Sequence, residues 1–156
     1  MGGLVGRYLV EQSHADVLRA GWQAGAPALA SAVAHLVLLG VPNAGCDIGE
    51  QLVATMVATS PAAERSKVQA ALDLSYRSDA ITARMNALYA DNATRYHVVY
   101  GDLGGGDGVV TVASALAVPL GPGETAMAFP TFHDALHTLA SVNGVAAHVA
   151  ALLQAP

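Results

Sequence analysis

The chain is poor in charge, in lysine and in cysteine. Only 12% of its 156 residues are charged, against 53% hydrophobic. A disordered chain needs the opposite balance, so a packed core is expected. Lys67 is the only lysine, the arginines are scattered, and the formal net charge is −5. No basic patch exists to neutralise phosphates, which disfavours nucleic acid as a partner. Cys46 is the single cysteine, and one thiol cannot close an internal disulfide. A disulfide-stapled fold is therefore excluded. The first twenty residues lack the apolar run of a signal peptide, because Arg7, Glu11, Asp16 and Arg19 fall within them. The compartment stays open, and a cytoplasmic location is the expectation only for a chain that is complete. Between Arg19 and Asp47 there is no charged residue. Gly21, Gly25, Pro27, Gly40 and Pro42 interrupt that stretch before it reaches the roughly 20 apolar residues of a membrane span. No integral membrane span is expected. Internal repeats and low-complexity tracts are also lacking.

What is present reads as alternating helices and strands. Leu4, Val5, Tyr8 and Leu9 recur at helical spacing, predicting a helix over 2–13 that ends in a polar turn at Ser13–Asp16. The run His35 to Val41 has the length of a strand buried on both faces. Pro42-Asn43-Ala44-Gly45 reads as a turn. Helical periodicity then recurs over 47–59, 61–74 and 78–89. Tyr96 to Asp102 reads as a second strand, Glu124 to Phe132 contains a third, and His133 opens a last helical region that resumes after Asn143-Gly144. Strands separated by helical connections predict an α/β class with about three parallel strands and flanking helices.

Ligands of open parallel sheets gather at the carboxyl ends of the strands. The loops there read GVPNAGC, GDLGGGDGVV and FHDALH. An aspartate and a histidine on neighbouring strand ends are two members of a nucleophile–base–acid triad. Asp107 and Asp102 are both candidates for the acid, and His133 for the base. On the residues alone other readings compete, and for Asp107 a turn-stabilising aspartate is the stronger one. Gly-Asp-Gly is also a plain turn sequence. The glycine loop satisfies neither G-x-x-x-x-G-K nor G-x-G-x-x-G, so no nucleotide cofactor is expected. His133 and His137 are four apart, but His-Asp-Ala-Leu-His lacks the glutamate of His-Glu-x-x-His, and no metal is expected. Cys46 reads as a small loop residue, Ser13 in Ser-His-Ala-Asp as a helix end, and His14, His35, His97 and His148 as structural histidines.

Taken in order, these segments resemble the C-terminal half of an α/β-hydrolase of the lipase/esterase type, close to PGAP-like acyl-hydrolase domains. MGGLVGRYLVEQ resembles the helix behind the nucleophile elbow, G-x-S-x-G. HLVLLGVPNAGC resembles the next strand and its G-T-P-x-x-G-S loop, with Val41 for the threonine and Cys46 for the serine. GDGVVTVASA resembles the acid segment and FHDALH the final histidine segment. The resemblance spans nearly the whole chain. It implies a partial α/β-hydrolase fold, a single domain over 1–156 and a cap-like helical insert over 47–90. It implies Asp107 as triad acid, with Asp102 the alternative, His133 as base, and Met1 as an oxyanion-hole donor. The serine would stand one place before Met1. The substrate implied is an ester or lipid-like small molecule. Without that serine the chain would be inactive, and the alternative expectation is a non-catalytic module that self-associates through an exposed sheet edge.

Overall fold

The computed structural model describes residues 2–20, 32–46, 74, 94–138 and 144–154. The insert expected over 47–90 therefore lies outside the described residues, Leu74 excepted. The element order is α1 (Gly2–Ala20), β1 (His35–Leu39), β2 (Arg95–Gly101), α2 (Val112–Ala115), β3 (Thr125–Phe129), a 3₁₀ turn (Asp134–His137) and α3 (Val145–Gln154). The three strands form one open sheet in the order β1-β2-β3, and both pairings are parallel. His35 pairs in register with Arg95, and His97 with Thr125. The α/β class with about three parallel strands is thus the observed architecture.

The sheet carries apolar clusters on both faces. Leu38, Tyr96 and Val98 pack with Leu4 of α1 and with Val110, Ala115 and Val118 around α2. Val99 packs on the other face with Leu136 and Val145, joined by Val37, Leu39, Phe129 and Val149. Alternate residues of the central strand therefore point into different layers, as the period of two requires. This accounts for the near-continuous burial of β2.

Several boundaries differ from the sequence expectation. The first helix does not stop at Ser13–Asp16 but runs to Ala20. No glycine or proline interrupts it there, and isolated polar residues do not break a helix. Its buried face also differs. Leu4, Arg7, Val10 and Glu11 are buried, whereas Val5, Tyr8 and Leu9 are exposed. The apolar pattern failed because two charged residues satisfy one another: Arg7 Nε donates to Glu11 Oε1 at 2.7 Å across one helical turn. β1 is shorter than predicted and only half-buried apart from Leu38, because it pairs on one side only among the described residues. The second strand is shifted back by one residue, to 95–101. α2 was not expected. Thr111 caps it by accepting from Ser114 N–H at 3.2 Å.

Candidate functional site

Asp107 and His133 leave neighbouring strands of the sheet, β2 and β3, at their carboxyl ends. His133 Nδ1 lies 2.8 Å from Asp107 Oδ2. The other oxygen, Oδ1, accepts the N–H groups of Val109 at 2.9 Å and Val110 at 2.7 Å. The carboxylate is 1% exposed and the imidazole 29%. A carboxylate only accepts, so Nδ1 carries the proton and donates it to Asp107. His133 Nε2 then presents its lone pair and has no hydrogen-bond partner among the described residues. The backbone adds a third tie, His133 N–H to Asp107 C=O at 3.0 Å.

Two glycines make this approach possible. Gly40 has φ +56°, and a Cβ there would sit 2.9 Å from Leu136 Cδ1 and 3.0 Å from His133 Cε1. At Gly101, a Cβ would overlap the Thr131 carbonyl oxygen and meet Asp107 Cβ at 2.5 Å. The end of β1 thus backs the imidazole, and the end of β2 meets both the acid and the chain leading to the base.

Asp102, the alternative acid, turns elsewhere. Its Oδ1 accepts from Gly104 N–H at 2.9 Å and Gly105 N–H at 2.8 Å. Those backbone N–H groups, Gly105 first, hold its carboxyl below the usual aspartate range. It makes no bond to His133. Its side chain closes the glycine loop as an Asx turn.

A cavity of about 330 Å³ adjoins the imidazole, with Gly2, Gly3, Val41, Cys46, His133 and His137 in its wall. The amino end of α1 thus faces the same space as the base. Met1, the expected oxyanion donor, lies outside the described residues. Cys46 is buried, its N–H donating to Leu74 C=O at 2.8 Å. The His137 ring meets the His133 ring edge-on, with centroids 5.6 Å apart. Among the described residues no group of three or more His, Cys, Asp or Glu side chains could hold a metal ion.

The cavity wall is braced from behind by a polar network that the sequence did not reveal. Arg7 Nη1 donates to Asn43 Oδ1 at 3.0 Å, and Asn43 Nδ2 donates to Ala115 C=O at 2.7 Å. Ser114 Oγ accepts from Ala44 N–H at 3.1 Å and donates to Gly45 C=O at 2.5 Å. Helix α1, the loop after β1 and α2 are thereby fastened together. Arg7, Glu11 and Asn43 are all 0% exposed. Burial pushes the Glu11 carboxyl above its ordinary value, and Arg7 opposes that shift by hydrogen bond and charge.

Comparisons with protein-family models, with curated proteins and with solved structures returned no match. Among the described residues no helix is long and apolar enough to cross a membrane.

Proposed function

We propose that Asp107 and His133 are the acid and base of a serine ester hydrolase. The observation that carries this reading is the anchored pair. Asp107 has one oxygen fixed by two backbone donors and the other on His133 Nδ1 at 2.8 Å, while Nε2 is left unengaged beside a cavity. On this reading, a serine at the amino end of α1 attacks an ester carbonyl and gives its proton to Nε2. Asp107 holds the tautomer and stabilises the imidazolium. The tetrahedral oxyanion is met by backbone N–H groups, that of Met1 among them. Collapse expels the alcohol, protonated by His133. Water then releases the acid from the acyl-enzyme by the same route in reverse. The half-apolar cavity suits a small aliphatic acyl group.

The test is ester hydrolysis by the chain together with whatever its reading frame encodes ahead of Met1. His133→Ala and Asp107→Asn are expected to lower turnover by about 10³- to 10⁴-fold. Undiminished hydrolysis in both, or a frame without serine at the position before Met1, overturns the assignment.

A second reading has its own observation. The outer edge of β1 has no strand partner among the described residues, and Val5, Tyr8 and Leu9 are exposed on the helix that packs on β1. An unpaired edge beside an apolar helix face invites another chain. That reading makes the molecule an interaction module that associates with itself.

A further inference from the structure

Away from the cavity, three polar side chains link up across the face of the sheet that α3 covers. Thr125 of β3 is the register partner of His97 of β2, and His35 of β1 lies on the diagonal, because His97 pairs with Val37 and His35 with Arg95; all three stand near the amino ends of the strands. His35 Nδ1 lies 2.9 Å from His97 Nε2, and His97 Nδ1 lies 2.9 Å from Thr125 Oγ1. His97 is buried, His35 half-buried and Thr125 exposed, so the row meets water at both ends.

The ring geometry says what the two imidazoles share. Their planes differ by 17° and their centroids are 5.2 Å apart. That separation is the N···N gap plus one ring radius on each side, so the rings meet head-on in nearly one plane. An ion seated between head-on nitrogens would need a gap of about 4 Å, two zinc–nitrogen bonds of about 2.0 Å each. A gap of 2.9 Å fits a single proton.

We propose that His35, His97 and Thr125 form an acid-sensitive tie across the three strands, closed by one proton between the imidazoles and opened when both rings are protonated. With both rings neutral, one N–H lies between them, and the Thr125 hydroxyl donates or accepts to match the tautomer. One added proton leaves an imidazolium donating to an imidazole, and the row stays intact. A second sets N–H against N–H, which cancels the bond and places two like charges in contact. The surroundings resist that second proton. Burial first, then the His35 charge, holds His97 below the ordinary histidine value; Arg95 and His148 act in the same direction and Glu124 against it. Those groups come from β1, β2, the turn before β3, and α3. His148 offers no acceptor relief, since its own Nε2 is buried without a partner. A base whose folded value lies below its unfolded one stabilises the fold above the unfolded value, about 6.5, and loses that contribution as the pH falls to the folded value. The tie is independent of the hydrolase reading.

The experiment is a ring-resolved NMR titration of the intact chain, wild type and His35→Gln, with amide exchange followed in β1 and β2. In the wild type, His97 is expected to titrate below about 6.5 in a step coupled to His35. Protection of the β1 and β2 amides should fall across that step by about tenfold per unit of depression. In His35→Gln, the His97 midpoint should rise and the loss of protection should shrink. Independent single-site titration of both rings, or protection that is the same above and below the step, overturns the proposal. Both criteria can be read in the wild type alone if His35→Gln does not fold.

Discussion

At the scale of single residues, Asp107 has two jobs that one substitution can separate. Oδ1 holds the Val109 and Val110 amides and Oδ2 holds His133. Asp107→Ala removes both, leaving buried N–H groups unpaired at about 1–3 kcal/mol. Asp107→Asn keeps a carbonyl for the loop but presents an amide to His133, so it isolates the effect on the imidazole. Gly40 makes a second residue-scale prediction. With φ +56° and the His133 ring at 3.0 Å from any Cβ, Gly40→Ala meets backbone strain and a clash together. A loss of about 1–2 kcal/mol is expected from the left-handed backbone alone, read by urea denaturation. Displacement of the His133 ring resonances should accompany it. Unchanged stability and unchanged His133 shifts would show that the ring does not rest on Gly40.

At the scale of elements, the sequence revealed the strands more readily than the faces. Short apolar runs bounded by glycine and proline marked β1 and β2 to within two residues. Gly-Asp-Gly and Phe-His-Asp stood out because each followed such a run. What stayed hidden depends on pairs distant in the chain. The burial of Arg7 and Glu11 was not legible, because Asn43, which completes it, lies 36 residues further on. His35 and His97 looked unrelated because 62 residues separate them, and only the strand register brings them together. α2 has four residues inside a glycine-rich segment, too short for periodicity to show. The buried pair on α1 carries its own prediction. Arg7→Met leaves Glu11 buried without its cation, and about 3–5 kcal/mol of stability should be lost. Since burial already raises the Glu11 value, protonation relieves that variant, and its deficit should narrow as the pH falls toward 4. A deficit unchanged between about pH 7 and pH 4 would rule out an uncompensated Glu11 charge as its cause.

At the scale of the whole molecule, the three strands among the described residues leave two edges without a described partner, and they are unlike. β1 is half-buried beneath α1, while Thr125, Ala126, Met127 and Ala128 of β3 are exposed. Neither strand carries lysine or an internal proline, the usual devices against edge pairing. If the β1 side binds a second copy, Val5→Glu with Leu9→Lys should shift the chain toward monomer in sedimentation velocity without lowering its unfolding midpoint. A wild-type chain that is monomeric at all concentrations would dispose of the self-association reading and leave the triad reading untouched.

The separation of Asp107 from His133 along the chain has a consequence for assembly. Asp107 and His133 are 26 residues apart, whereas the tie between β1 and β2 closes across 62. Chain-closure entropy grows with the logarithm of loop length, so the shorter closure is cheaper by about 0.8 kcal/mol. The segment from β2 to the 3₁₀ turn is thus the more local half of the fold, and α1 with β1 joins it by longer reaches of chain. Sub-global opening should release the amino-terminal half first, with Asp107 and His133 still in contact on the half that remains.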